Sequence, residues 1–174
     1  MAIIVEERDR SELLRAGIGG GVIAGLVLAG SEIIAAVAMG ASWRTPFRLV
    51  SALLFGVRAF SPAFPTALMV VVGVALHMLL SMLFGVVFLW ILAWTFQLSA
   101  RAPLLLAYGA LFGFLLWEVN FLAILPAFFP HVAARFGPVN QFVNGILAYT
   151  FFYGVVLGAF QARARAGVRA QWAA

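Results

Sequence analysis

Long apolar stretches alternate with short polar ones along this chain, and the stretches are too long for the core of a soluble domain. A helix needs about 20 largely apolar residues to cross a bilayer. Four runs reach that length: roughly 16–39, 66–94, 103–125 and 140–161. The second exceeds the need, so tilt or protrusion is expected there. The pattern predicts an all-α, polytopic membrane protein, a four-transmembrane-helix bundle over 16–161. Residues 1–15 precede the bundle as a polar segment, and 162–174 follow it as an arginine-rich tail.

The connection after the first run has its own pattern. In WRTPFRLVSALLFGVR, Thr45 suits an N-cap, Pro46 the first helical position and Gly56 a C-terminal stop. Phe47, Val50, Leu53, Leu54 and Val57 recur at helical spacing. This predicts a short interfacial amphipathic helix over about 46–56, too short to span, with Arg44, Arg48 and Arg58 reaching lipid headgroups. PAFFPHVAARFGP at 126–138 is expected to form a second interfacial cap on the same side. Trp172 in the tail suits an anchor at the opposite surface.

Composition sharpens the picture. The chain is 65% hydrophobic and 10% charged, whereas soluble domains are roughly 45–50% apolar and about 25% charged. With no cysteine there is no disulfide framework, thiolate metal site or thiol nucleophile. All eleven basic residues are arginines at the ends of apolar runs, which points to topology and headgroups rather than nucleic acid. An even number of spans puts both termini on one side, with Arg8, Arg10, Arg15, Arg101, Arg163, Arg165 and Arg169. Arg44, Arg48, Arg58 and Arg135 fall on the other. Seven against four favours cytoplasmic termini. Arginine without lysine, beside abundant Ala, Gly and Val, suits a GC-rich bacterial genome and hence the bacterial inner membrane. Ala36-Val37-Ala38 mimics a signal-peptide cleavage site, but Glu32 interrupts the apolar region before it, so a retained helix is expected.

Small residues lie on one face of every run. Gly17, Gly21, Gly25 and Ala29 repeat every four residues in the first, and Gly73, His77, Ser81 and Gly85 in the second. Gly109 and Gly113 do so in the third, Gly154 and Gly158 in the fourth. Helices in lipid associate by close packing that small residues permit, so these faces predict a compact bundle.

Few polar residues interrupt the runs. A charged side chain at a helix centre costs about 2.5–3.5 kcal/mol on insertion scales and normally faces a partner or water. At about 1.5 Å per residue, Glu32 and Glu118 each fall about 11 Å below the outer end of their runs. His77 falls about 16 Å below, and Asn144 about 6 Å. The four converge on one layer in the outer half. In LLWEVNFL at 115–122, Asn120 shares a face with Gly113, whereas Glu118 points about 200° away from Asn120. The two cannot meet the same neighbour.

Three chemistries fit the layer of Glu32, His77, Glu118, Asn120 and Asn144: hydrogen-bonded pins between helices, a proton or ion relay, and a metal or tetrapyrrole site. Imidazole titrates near neutrality, which suits a relay. Two carboxyls and an imidazole can ligate zinc or iron, though no ExxH or HxxxH pair is present. For haem or chlorophyll, His77 would be the ligand and Gly73, one turn earlier, would leave room for the ring. No Ser-His-Asp set, phosphate loop or dinucleotide fingerprint occurs.

WRTPFRL at 43–49, HMLLSMLFG at 77–85 and WEVNFLAILP at 117–126 resemble segments of small, uncharacterised four-span membrane proteins of bacteria. The resemblance runs over most of the chain and implies a four-helix membrane fold without an activity. The expected function is therefore a non-enzymatic membrane component that packs with other membrane subunits or with itself. A proton-coupled carrier using Glu32, His77 and Glu118, and a cofactor carrier using His77, remain as alternatives.

Overall fold

A computed structural model describes residues 2–96 and 101–163. Within them the chain folds into helices α1 (Ala2–Ala38), α2 (Thr45–Phe55), α3 (Thr66–Phe96), α4 (Ala102–Phe128), α5 (Pro130–Ala133) and α6 (Pro138–Arg163). A 3-10 turn, Gly56–Phe60, follows α2. Four of these helices, α1, α3, α4 and α6, are long and apolar enough to cross a membrane. Their apolar segments, Leu14–Ala38, Thr66–Leu92, Ala102–Phe128 and Pro138–Arg163, fall on the four runs expected from the hydropathy pattern. Large apolar side chains stand out from the bundle, Ile34 and Trp90 each 71% exposed, as a lipid-facing perimeter would require.

Two glycine seams build the bundle. On the first, Gly17, Gly21 and Gly25 of α1 meet Ser81, Gly85 and Val86 of α3. A Cβ on Gly85 would stand 2.8 Å from Gly21 Cα, and one on Gly25 would stand 2.6 Å from Ser81 Cβ. On the second, Gly109 and Gly113 of α4 face Gly154 and Gly158 of α6, each meeting a backbone carbonyl across the seam. Only glycine lets two backbones approach this closely, so the small-residue faces are used up within the chain itself. The seams join through α1 and α6, where Gln161 Nε2 donates to the Ala16 carbonyl at 3.2 Å. Phe88 of α3 and Phe112 of α4 close the core, their rings 5.1 Å apart.

The α2 segment lies across α3. Pro46 occupies its first turn and Gly56, at φ 60°, ends it. Thr45 is the first helical residue rather than the cap: the capping position is Arg44, without a side-chain cap bond. Gly73 of α3 receives the Phe47 backbone. The proline-bracketed segment packs beside α2, with Ala52, Ala59 and Val132 at the centre of a second apolar cluster. His131 Nε2 donates to the Ala52 carbonyl at 3.2 Å, tying the two parts into one cap at that end of the bundle.

Both α4 and α6 widen into π-helix, at Val119–Ile124 and Val143–Val155. Such segments are uncommon and frequently accompany functional sites.

Candidate functional site

Beneath the cap lies a cavity of about 160 Å³, walled by all four long helices and by α2. Its polar lining comes from Glu32 of α1, Thr45 of α2, His77 and Ser81 of α3, Asn120 of α4, and Asn140, Tyr149 and Tyr153 of α6. Leu49, Leu53, Val132 and Phe136 of the cap and Phe84 and Phe121 of the helices supply much of the apolar remainder. Both π segments line it, through Asn120 and Phe121 on one side and Tyr149 and Tyr153 on the other.

Each polar group is held differently. The His77 ring is buried, and its Nε2 lies 2.9 Å from the Gly25 carbonyl. A carbonyl only accepts, so Nε2 donates and Nδ1 of the neutral ring is left as an acceptor. Tyr153 donates its hydroxyl to the Ser81 carbonyl at 2.7 Å. Asn120 Nδ2 donates to the Leu116 carbonyl of its own helix at 2.8 Å. The Glu32 carboxyl makes no hydrogen bond among the described residues and has the Tyr149 hydroxyl as an electrostatic neighbour.

A second hollow, about 400 Å³ and open to the side, runs between α1 and α6 along Val27, Gly30, Ser31, Ile34, Val143 and Leu147. Glu32 belongs to its wall too. One carboxyl therefore stands between the central cavity and a lateral groove. Apart from its chain neighbours and the backbone of its own helix, nothing lies within 4 Å of where a Gly30 Cβ would be, so the groove is open beside it.

Of the residues expected from sequence, Glu32, His77, Asn120 and Ser81 come together here. Glu118 does not: it is half-buried, away from the lining, on the side of α4 opposite Asn120. The side chain of Asn144 and all of Trp172 lie outside what is described. Gly73, expected to leave room for a macrocycle beside His77, has that room taken by Phe47. Among the described residues no three of His, Asp and Glu gather as a metal-ligating set. Arg44 and Arg58 are exposed at the cap, Arg44 with its guanidinium 5.4 Å from the Trp43 ring centroid. Arg48 is half-buried and its Nε has no partner.

Tyr149, Tyr153, Asn140 and Thr45 are cavity residues that hydropathy did not single out. The available signal was Tyr153 adjoining the Gly154 face, with Tyr149 one turn before it. Comparison with known protein families, curated proteins and solved structures finds no match to this chain.

Proposed function

We propose that this chain is a small multi-pass carrier of the bacterial cytoplasmic membrane, with both termini cytoplasmic, that moves protons, or a solute exchanged for protons, through the cavity holding Glu32 and His77. The observation carrying this reading is that cavity: one carboxyl without a hydrogen bond, an imidazole and two tyrosines, beside Thr45, Ser81, Asn120 and Asn140, inside a largely apolar bundle. A carboxyl taken out of water is neutralised by a proton or by a cation, because an unpaired charge there is costly. Exchange of one for the other is the elementary step of a proton-coupled carrier. Glu32 and His77 serve this step, while Glu118, named with them from sequence, stands outside the cavity.

The test is proton flux into liposomes carrying the purified protein under an imposed pH gradient. The expected result is flux above that of empty liposomes, lost in Glu32→Gln. Equal flux with and without the protein would refute the carrier reading.

Glu118 supports a second reading, that of a membrane subunit in a larger assembly. It makes no hydrogen bond or ion pair among the described residues, and a carboxyl at that position on a lipid-facing bundle is suited by a neighbouring chain. The glycine faces lend this reading no support, because they are filled within the chain. Gentle solubilisation followed by native electrophoresis tests it: co-migration with other subunits or with further copies is expected, and a lone monomer refutes it.

A further inference from the structure

The hydrogen-bonding capacity of the cavity is unbalanced, and the imbalance describes an occupant. Lone pairs left free after internal bonding sit on both Glu32 oxygens, His77 Nδ1, Asn120 Oδ1 and the Tyr149 and Tyr153 hydroxyl oxygens. Against them, those same side chains have only the Tyr149 hydroxyl and the second Asn120 N–H left to donate, and the Thr45 and Ser81 hydroxyls of the lining each add one donor beside two lone pairs. The lining contains one carboxyl and no arginine or lysine. Arg48, on the roof helix, is outside the lining. Acceptors outnumber donors, and Glu32 is the one acid in the lining that can exchange its proton for a cation, so a complementary guest brings donors and positive charge.

Size and walls narrow the guest further. The cavity measures about 160 Å³, and an apolar cavity of about 150 Å³ accommodates benzene. Phe84, Phe121, Phe136, Tyr149 and Tyr153 contribute to its wall. Aromatic faces attract cations, more strongly once water is excluded. A small inorganic ion would make little use of that apolar wall, and an anion would meet acceptors. A primary ammonium group on a compact apolar body matches both halves.

The lateral groove supplies a way in. It is lined almost wholly by apolar side chains, and it shares Glu32 and Ala35 with the cavity, Glu32 being the polar one. An amphiphilic amine dissolved at the bilayer interface would slide its apolar body along Val27, Ile34 and Leu147 and meet the carboxyl with its ammonium group.

We infer that the Glu32–His77 cavity binds small amphiphilic primary ammonium ions, about the size of an aromatic ring with an aminomethyl arm, which reach it from the lipid side along the groove between α1 and α6. This rests on the carrier reading only for what happens after binding: as one ammonium arrives at Glu32, one proton leaves it for water, and the charge of the cavity is unchanged.

The experiment uses the full chain in lipid nanodiscs and three probes of matched shape: benzylammonium, benzyl alcohol and benzoate. Binding is measured against protein-free nanodiscs. Benzylammonium is expected to bind at least about tenfold more tightly than benzyl alcohol, with benzoate weakest. Equal binding of the amine and the alcohol, or preference for benzoate, overturns the ligand class. In Glu32→Gln the amine's advantage is expected to collapse; its survival also overturns the assignment. If that variant fails to fold, the wild-type comparison of the three probes decides alone. Gly30→Trp adds bulk at a position that lines the groove and not the cavity and is expected to slow association of benzylammonium; an unchanged rate overturns the lateral route. Flux in liposomes separates this inference from the carrier reading. Benzylammonium preference without transport keeps the ligand class and rejects carriage. Proton flux without that preference does the reverse.

Discussion

Tyr153 donates its hydroxyl to the Ser81 carbonyl at 2.7 Å, joining α6 to α3 at the level where Ser81 packs against Gly25 of α1. Three of the four long helices therefore meet around one serine, and the carbonyl of that same Gly25 receives His77. Two side chains of the cavity lining, His77 and Tyr153, are thus held by backbone carbonyls of the first glycine seam.

The Tyr153 bond can be measured. Tyr153 is 1% exposed, so bulk water competes little for its bond to the Ser81 carbonyl. Interhelical hydrogen bonds in membranes average about 0.6 kcal/mol and reach about 1.7. Tyr153→Phe is expected to lose an amount in that range in unfolding titrations from mild detergent into sodium dodecyl sulfate. Tyr149 makes no hydrogen bond among the described residues, so Tyr149→Phe is expected to leave stability unchanged. Equal losses from both would remove the distinction.

The glycine seams make a sharper contrast. A Cβ at Gly113 would run into the Tyr149 carbonyl, and one at Gly154 into the Gly109 carbonyl. Backbone cannot rotate aside as a side-chain tip can, so the helices must separate. Overpacking costs typically about 1–3 kcal/mol, and Gly113→Val and Gly154→Val are expected at or above the upper end. Gly30 faces open space, so Gly30→Ala is expected to stay within about 0.5 kcal/mol of the parent. Thermal melting followed by size-exclusion chromatography ranks the three. Tolerance of Gly154→Val would mean that the second seam is not as close as described.

Much of the architecture is legible in sequence because its causes are local. Apolar run length marks α1, α3, α4 and α6, and the Pro46-to-Gly56 punctuation marks α2. Four-residue glycine spacing marks both seams. The about 200° between Glu118 and Asn120 separates the residue that lines the cavity from the one that does not. The cavity itself is harder to read. Its acceptors at Gly25 and Ser81 are backbone atoms carried by every residue, so no letter announces them. The i→i+5 bonding around Tyr149 and Tyr153 leaves no residue signature either. A common depth for Glu32 and His77 follows from counting residues, but which side chains reach each other depends on which helices pair.

Orientation has a direct test, because the chain contains no cysteine and single-cysteine variants carry no background. Ser61 is exposed between α2 and α3, at the cap. Cytoplasmic termini put it outside. A membrane-impermeant maleimide on intact cells is expected to label Ser61→Cys, and to label Ser11→Cys only after permeabilisation. The reverse pattern would invert the topology and place the cap and cavity on the cytoplasmic side.

The two carboxyls of the apolar runs offer the most informative comparison. Glu32 lines both the cavity and the groove, whereas Glu118 lines neither. Replacing either by glutamine keeps shape and removes the ability to carry a charge. If transport runs through the cavity, Glu32→Gln abolishes proton flux in liposomes and Glu118→Gln leaves it near the parent value. If Glu118 instead meets a neighbouring chain, Glu118→Gln alters migration on native gels while Glu32→Gln does not. The two assays thus assign each carboxyl separately. Loss of flux in Glu118→Gln, with migration unchanged, would put that residue on the proton path and show the cavity to be an incomplete description of it.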